Sequence, residues 1–251
     1  MNDTKEYCAR YNDYDFKTRF GQLLEVMDFP RVIILLEFER LITKHHISAT
    51  NVLMLNGGAT GDPELDCLTH ERVDVADYEA DPTRYDLHAP RFERSDYDFV
   101  FLSQTLEHLY DPSLALEQLF GAMAPGAYLW ASNPTVARQH QLPQHFATGF
   151  TPTGMACLFA HSGFDVVEIG QWGNSTYIDQ TFALGLFPTY YDLVPLRWRG
   201  VRHLLWTLGA SAPRRRMARR WARLSPADWV MDGLRNDFHN PAQTWALVRK
   251  P

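Results

Sequence analysis

Residues 98–134, DFVFLSQTLEHLYDPSLALEQLFGAMAPGAYLWASNP, decide the fold of this chain. The apolar run 99–102 has the length of a buried strand. Asp-Pro at 111–112 is a typical helix start, with the aspartate as N-cap and proline at the first helical position, and apolar residues follow at roughly helical spacing. A Pro-Gly turn then leads into a second apolar run, 128–131. Two buried strands joined by a helix predict a right-handed βαβ unit in a parallel sheet.

Three further strands are predicted on the N-terminal side of this unit. They cover residues 51–55, 73–75 and, as a short third strand, 85–87. A short helix that begins at Asp62 and Pro63 connects the first two. Parallel sheets bind ligands at the carboxyl ends of their strands. The residues that follow each strand are therefore the candidates for a functional site.

Size and composition restrict the class of protein. A chain of 251 residues with 45% apolar residues can bury a sizeable core and an appendage, and a net charge of −6 argues against nucleic-acid binding. Cys8, Cys67 and Cys157 are far apart and form no CxxC pair, so we expect reduced thiols, no disulfide framework and no metal site. The N-terminus has no apolar signal segment, and no uncharged run approaches 18 residues. We therefore expect a cytoplasmic protein without a membrane span.

The order and spacing of these motifs resemble the class I methyltransferases that use S-adenosylmethionine (SAM), of the methyltransferase type 11-like kind. The chain has YDFV…LEH…DP and a PGA turn where that family has FDVV…LEH…DP and PGG. The segment 150–167, FTP…GFDVV, is similar to the family's helix and sixth strand, and 243–250 more weakly to its last strand. The resemblance implies an α/β fold with a Rossmann-like, mostly parallel seven-stranded sheet and an antiparallel last strand.

The resemblance also implies a domain organisation. Residues 1–48 are expected to form an N-terminal helical lid segment, 49–175 the SAM-binding core, 176–239 a helical insertion, and 240–251 the last strand of the core. For the apolar part of the first segment, the alternative is an ordinary packing helix. The insertion contains a basic stretch from Arg214 to Arg223. It is either a solvated helix face or a contact with an anionic substrate or membrane surface.

Each part of SAM needs a different kind of residue. Its methionine end needs glycines after the first strand and a following helix N-terminus, which the loop NGGATG at 56–61 supplies with departures from the family's acidic-x-Gly-x-Gly-x-Gly pattern. The ribose diol needs a carboxylate at the end of the second strand, for which Asp74 is the candidate and Asp77 the competitor. Asp86, followed by Leu87 to pack on the ring, is expected near the adenine, with a turn cap as the alternative. The predicted cofactor-binding residues are Asn56, Gly57, Gly58, Gly61, Asp74, Asp86, Leu87, Gln104, Leu106 and His108.

Two groups of residues are candidates for the acceptor side. His145 and His140 follow the fifth strand, and we expect one of them to act as general base, His145 in particular because it matches a recurrent family histidine ahead of FTP. The alternative for each is a surface or loop-packing histidine. Trp172, Asn174 and Tyr177 follow the sixth strand and suit stacking on a sugar or planar ring, or else the packing of the insertion.

The resulting prediction is a SAM-dependent methyltransferase. The expected reaction is O-methylation of a small molecule, sugar or glycan hydroxyl by in-line methyl transfer. A loose similarity of the C-terminal segment to bacterial methyltransferases of sugars and cell-surface glycans favours glycan or natural-product biosynthesis. The alternative is a non-catalytic SAM-fold binding or regulatory subunit, which the altered glycine loop supports. The acceptor, the methylated atom and the oligomeric state are left open by the sequence.

Overall fold

The structure, a computed structural model, describes residues 29–55, 63–137, 140–173 and 241–251. The chain divides into two compact units, residues 1–33 with 172–242 and residues 34–171 with 243–251. Only the ends of three elements represent the first unit among the described residues. Every side-chain contact reported below lies within the second unit. Most of the predicted lid and insertion falls outside the described residues, so the predicted domain limits stay predictions.

The described residues alternate between helices and strands from residue 51 to residue 173. In chain order the elements are α1 (Phe29–Lys44), β1 (Asn51–Leu55), α2 (Pro63–Cys67), β2 (Arg72–Ala76), α3 (Pro82–Tyr85), β3 (Tyr97–Ser103), a 3₁₀ turn (Leu106–His108), α4 (Pro112–Ala122), β4 (Met123–Pro134), α5 (Pro152–His161), β5 (Asp165–Gly173) and β6 (Pro241–Arg249). None of these described helices combines the length and apolarity that a membrane-crossing segment needs.

One sheet contains all described strands, in the order β2-β1-β3-β4-β6-β5. β1 pairs in parallel with β2 and with β3, and β3 pairs in parallel with β4. The last strand, β6, runs antiparallel to β4. The predicted Rossmann-like arrangement is confirmed, with six strands in the described part of the chain where seven were expected.

The strand predicted at 85–87 is wrong, and a local hydrogen-bond pattern explains why. Asp81 caps α3, since its carboxylate accepts the backbone N–H of Thr83 and of Arg84. Directly after α3, the Asp86 carboxylate accepts the backbone N–H of His88 at 3.0 Å. The side chains of two aspartates therefore curl the backbone into a helical turn and an Asx-type turn, where an extended strand had been predicted.

The βαβ unit that decided the sequence interpretation is present. The carboxylate of Asp111 accepts the N–H of Leu114 at 3.1 Å, and Pro112 begins α4 as predicted. Asp98, at the start of β3, accepts the backbone N–H of Thr50 at 2.8 Å and of Asn51 at 2.9 Å, which ties the start of β1 to β3. The amino end of the unit is thus held to β1 by the Asp98 carboxylate, which accepts two backbone hydrogen bonds.

Successive residues of the central strands face opposite sides of the sheet, and both sides are buried. On one side Val100 and Leu102 belong to the same buried cluster as Leu116 and Leu119 of α4. On the other side an aromatic cluster forms around Phe38 of α1. The centre of its ring lies 6.0 Å from that of Phe99 and 5.2 Å from those of Phe101 and Trp130. The described part of the predicted lid, α1, is therefore a packing helix from residue 34 onward.

The strand order contains a topological switch point at β1. β2 lies on one side of β1 and β3 on the other, so the chain changes direction across the sheet after β2. Open α/β sheets bind ligands at the carboxyl ends of the strands beside such a switch point. The strand ends there are Leu55, Ala76, Ser103 and Pro134. The predicted glycine loop, with Asn56, Gly57, Gly58 and Gly61, lies outside the described residues.

Candidate active site

Gln104 follows β3 in a strained backbone conformation. Its φ of 51° lies in the left-handed region, which costs a residue other than glycine about 1–3 kcal/mol. Its N–H donates to the Ser132 carbonyl at 2.7 Å, and its side-chain Nε2 donates to Ser132 Oγ at 3.3 Å and to Gln243 Oε1 at 3.1 Å. The side-chain amide thus links the ends of β3, β4 and β6, and any cofactor contact at Gln104 stays a prediction.

The 3₁₀ turn directs its three side chains differently. Leu106 is fully buried and belongs to the core of the sheet. Glu107 is 1% exposed, and burial raises the pKa of its carboxyl to about 7, against backbone hydrogen bonding, which lowers it. His108 is partly exposed and faces the loop that follows β4. The predicted cofactor contact at Leu106 is therefore not available to its side chain in this conformation.

The loop after β4 is anchored to the 3₁₀ turn by three hydrogen bonds. The backbone carbonyl of Glu107 accepts the N–H of Phe146 at 2.9 Å and of Ala147 at 3.2 Å. Nδ1 of His108 lies 2.5 Å from the Gln144 carbonyl oxygen and donates to it. These contacts join segments 36 or more residues apart in sequence, and they bring the loop histidines to His108.

The same loop closes onto the end of β4. The N–H of Phe150 donates to the Pro134 carbonyl at 3.0 Å, and the N–H of Ala137 donates to the Thr148 carbonyl at 2.6 Å. Gly149, at φ +140°, passes so close to β4 that a Cβ atom there would lie 2.0 Å from the Pro134 oxygen. Only glycine fits this close approach.

Three histidines form a cluster beside the carboxyl end of β3. The ring centres of His108 and His140 are 4.8 Å apart, those of His140 and His145 4.7 Å, and those of His108 and His145 5.7 Å. One ring nitrogen of each lies within 4.8 Å of the corresponding atoms of the other two. The structure thus brings together both predicted base candidates, His140 and His145, and the predicted cofactor-side residue His108.

The surroundings lower the pKa of two of the three imidazoles, those of His108 and His145. Burial lowers the pKa of His108 despite its bond to the Gln144 carbonyl, and repulsion from His140 and His145 lowers it further. Burial, followed by repulsion from His140, also lowers the pKa of His145. Both ring nitrogens of His145 are shielded from solvent without a hydrogen-bond partner among the described residues. A buried polar atom left unpaired costs about 1–3 kcal/mol, so this side chain favours a ligand from beyond the described residues.

Exposed apolar side chains surround the cluster. Leu142, between two of the histidines, is 66% exposed, and Phe146, directly after His145, is 53% exposed. Tyr110, two residues after His108, is 62% exposed and packs edge-to-face on Phe146 at 5.9 Å. Such an apolar rim next to convergent polar atoms is the usual surface of a small-molecule site.

The two ribose candidates lie at different heights of β2. Asp74 is in the middle of β2, opposite Leu53, and its carboxylate accepts Tyr97 OH at 3.1 Å and Arg72 Nε at 3.1 Å. Asp77 directly follows the carboxyl end of β2 and accepts the backbone N–H of Glu79 at 2.9 Å. Because ligands bind at that end of the sheet, the positions favour Asp77, the competitor, over Asp74.

Asp86 takes part in a network with the neighbouring histidine. Its Oδ1 accepts His88 Nδ1 at 2.6 Å, while Nε2 of His88 accepts the Asp111 N–H at 3.3 Å and the His88 ring stacks on Tyr110 at 3.6 Å. Burial alone would raise the pKa of Asp86, but the two hydrogen bonds from His88 hold it below its ordinary value. Leu87 is 6% exposed and lies in the core. The turn-cap alternative for Asp86 is thus observed, and its adenine role stays a prediction.

The remaining acceptor-side candidates are Trp172, Asn174 and Tyr177. Trp172 is fully buried, which favours the packing alternative for its ring. Asn174, Tyr177 and the basic stretch from Arg214 to Arg223 lie outside the described residues.

Comparison with known proteins identifies a family for the middle of the chain. A family described as a methyltransferase domain matches residues 56–169, which include the carboxyl ends of β2, β3 and β4 and the loop after β4 that contains His140 and His145, called the histidine loop below. This segment is a methyltransferase domain. For this segment, the class I, SAM-dependent methyltransferase that the order of motifs predicted is confirmed. No curated protein matches the chain at a significant level.

Many solved structures share the fold at low identity. A methyltransferase from Bacillus halodurans C-125, described as putative, is 11% identical with a TM-score of 0.47, and the match covers 85% of this chain and 98% of that one. The N-methyltransferase NodS from Bradyrhizobium japonicum WM9, crystallised with S-adenosylhomocysteine, is 14% identical with a TM-score of 0.43 over 99% and 96%. The [4+2]-cyclase SpnF is 12% identical with a TM-score of 0.45 over 90% and 84%. At these values the similarity carries no information about the acceptor of this methyltransferase.

The sequence analysis did not recognise the three histidines as one cluster. His108 was assigned to the cofactor side, and His140 and His145 to the acceptor side, because they belong to different motifs. A signal was nevertheless available, because His108 lies in the turn after β3, and His140 and His145 lie in the loop after β4. The carboxyl ends of adjacent parallel strands meet at the same edge of a sheet, so these three side chains could have been expected to lie close together.

A substitution at Gly149 tests whether the loop closure holds the cluster. Gly149→Ala should lower the free energy of unfolding by at least ~2 kcal/mol, because the new methyl group would overlap the Pro134 carbonyl. The matched control is Gly121→Ala in α4, where a Cβ meets nothing within 4 Å. The higher helix propensity of alanine should raise the free energy of unfolding of this variant by about 0.5–1 kcal/mol. Urea unfolding measures both values, and NMR of the imidazole protons follows the histidines. Equal stability of the two variants, with unchanged histidine signals, would contradict the close packing of the loop.

Proposed function

We propose that this methyltransferase transfers the methyl group of SAM to a hydroxyl of a small molecule, sugar or glycan bound at the histidine cluster. The single observation that supports this most is His145, whose two ring nitrogens are shielded and have no hydrogen-bond partner in the described part of the chain, beside an exposed apolar rim. A hydroxyl nucleophile has to lose its proton, and an unpaired neutral imidazole is a suitable acceptor for it near pH 7.

The cofactor side uses the carboxylates at the end of the sheet. The carboxylate of Asp77, or of Asp74 as predicted from the sequence, accepts hydrogen bonds from the ribose hydroxyls. Asp86 lies on the adenine side. The predicted loop residues Asn56, Gly57, Gly58 and Gly61 approach the methionine end. Bound SAM would supply a methyl group activated by a positively charged sulfur, so that an acceptor oxygen bonds to the methyl carbon while the carbon–sulfur bond breaks and its electron pair leaves with the sulfur of S-adenosylhomocysteine.

The protein's own contribution is positioning and proton removal. Tyr110, Leu142 and Phe146 offer apolar and aromatic surface for the body of an acceptor, and their exposure suits a sugar or aromatic ring. His145 accepts the proton of the acceptor hydroxyl, assisted or replaced by His140, and the water-exposed side of the loop lets the proton leave. Orientation of the reacting oxygen accounts for a large part of the acceleration in displacements of this kind.

The alternative function is a non-catalytic SAM-fold binding or regulatory subunit. It is favoured by one structural observation besides the altered glycine loop. The side chains of Gln104 and Leu106, where cofactor contacts were predicted, are used for strand linkage and for the core. We also retain as proposals a cytoplasmic location, acceptor contacts through Trp172, Asn174 and Tyr177, and an anionic partner or membrane surface for the stretch from Arg214 to Arg223.

Calorimetric titration with SAM, followed by methyl transfer, separates the two functions. The enzyme should bind SAM in the micromolar range and transfer its labelled methyl group to at least one member of a panel of phenols, sugars, glycans and amines, with release of S-adenosylhomocysteine. Labelled product on oxygen supports the proposal. Labelled product found only on nitrogen overturns the hydroxyl specificity, and no SAM binding at millimolar concentration favours the non-catalytic alternative.

The ribose assignment is tested by a pair of substitutions in β2 and its end. Asp77→Ala should weaken SAM binding about 10- to 100-fold, because hydrogen bonds to a charged carboxylate are lost, while Asp74→Ala should have the smaller effect on binding. Calorimetry measures the affinity, and urea unfolding checks that the loss of the Tyr97 and Arg72 contacts leaves Asp74→Ala folded. A larger loss of affinity in Asp74→Ala than in Asp77→Ala would restore Asp74 to the ribose.

The base assignment is tested at His145. His145→Ala should reduce turnover by roughly 10²- to 10⁴-fold, the usual contribution of a general base, with SAM affinity unchanged. His161→Ala, at the end of α5 and away from the cluster, is the matched control and should turn over like the original chain. Retention of full turnover by His145→Ala would remove it as the base.

A further inference from the structure

The three imidazoles lie close enough to share one ion. One ring nitrogen each of His108, His140 and His145 lies within 4.8 Å of the other two. Around a zinc-like ion with nitrogen ligands at about 2.0–2.1 Å, such nitrogens are about 3.3 Å apart. The widest pair therefore has to close by no more than about 1.5 Å. His140 is the exposed member of the three.

His108 already has the hydrogen bond that metal-binding histidines commonly make. A carbonyl oxygen can only accept, so the contact between His108 Nδ1 and the Gln144 oxygen at 2.5 Å fixes the proton on Nδ1. Nε2 then keeps its lone pair. Donation of the second ring N–H to a backbone carbonyl is the usual way in which a protein fixes the orientation and tautomer of a metal ligand.

His145 provides a second, independent observation. Neither of its ring nitrogens has a partner among the described residues, although both are shielded from solvent. A ligand with an empty orbital, supplied from outside the chain, would satisfy one of them. The loop that contains His145 is anchored by the Phe146 and Ala147 hydrogen bonds to Glu107, so the ring is held next to His108 before any ion arrives.

We propose that His108, His140 and His145 bind one divalent ion of the zinc class, with a coordination position left open toward solvent and the apolar rim. Three imidazole ligands favour Zn²⁺, Co²⁺, Ni²⁺ or Cu²⁺, whereas Mg²⁺ and Ca²⁺ prefer oxygen ligands. Three protein ligands with an open fourth position are typical of a catalytic rather than a structural site. The sequence analysis expected no metal because it considered only the cysteines.

The binding of the ion is independent of the proposed function, but the task of the ion rests on it. An imidazole nitrogen that binds an ion cannot accept a proton at that nitrogen. In the ion-bound protein, the ion would lower the pKa of an acceptor hydroxyl next to it. The proton of that hydroxyl would then pass to solvent rather than to His145.

Direct metal titration of the full chain, without a histidine tag and after treatment with chelator, tests the site. One equivalent of Co²⁺ should produce the visible absorption of a four-coordinate ion, and Zn²⁺ should displace it. Calorimetry should show one Zn²⁺ per chain and no heat with Mg²⁺. A six-coordinate Co²⁺ spectrum, identical to that of the ion in buffer, contradicts the proposal.

Single substitutions assign the ligands. His108→Ala, His140→Ala and His145→Ala should each weaken Zn²⁺ binding by more than about 100-fold, whereas the matched control His161→Ala should bind like the original chain. His140→Ala is the decisive variant, because His140 is the exposed member of the three, and circular dichroism checks the fold of all four. Equal Zn²⁺ affinity of His140→Ala and His161→Ala overturns the three-histidine site.

Methyl transfer measured in parallel separates this inference from the proposed function. If Zn²⁺ binds through the three histidines but no acceptor is methylated, the ion site stands and the proposed function fails. If the chelator-treated chain methylates its acceptor and binds no ion, the proposed function stands and the ion site fails. A gain of turnover on addition of one Zn²⁺ equivalent supports both.

Discussion

The candidate site depends on one backbone carbonyl, that of Glu107, which accepts the N–H groups of Phe146 and Ala147. This contact joins the turn after β3 to the loop after β4 and so determines which side chains meet. It works together with the His108–Gln144 bond and with Gly149, which lets the far end of the loop approach β4. Backbone hydrogen bonds in a half-buried loop are strongly favoured because an unpaired N–H or C=O there would be costly. The histidine cluster is therefore a consequence of the hydrogen bonds that the backbone N–H groups of the loop make.

The sheet supplies the rigid frame for that contact. β3 and β4 are paired in register from Phe99 with Tyr128 to Ser103 with Ser132, so their carboxyl ends emerge side by side. Buried aromatic residues on one face and aliphatic residues on the other hold the two strands in place. Positioning the acceptor is the main demand of methyl transfer, since SAM already activates its methyl group. A loop fixed at both ends on such a frame meets that demand better than an unanchored one.

The sequence predicted those parts of the structure whose signals are local. Asp111, followed by proline, begins α4 as predicted, and the apolar runs form parallel strands. Thr151, also followed by proline, caps α5 in the same way. The prediction failed at 85–87, where aspartate side chains curl the backbone into turns. The site was predicted only as separate motifs, because the contact between Glu107 and Phe146 spans a loop whose path no periodicity reveals. The directions of Leu106 and Gln104 likewise depend on packing between distant strands.

Amide hydrogen exchange followed by NMR in the ligand-free protein tests the central claim most directly. The N–H groups of Phe146 and Ala147 are bonded to Glu107, so they should exchange orders of magnitude more slowly than unpaired loop amides and lose protection together in a single local opening. Exchange of both at the rate of an unstructured loop, while β3 and β4 stay protected, would contradict the account, because the histidine loop would then have no fixed position at the end of the sheet.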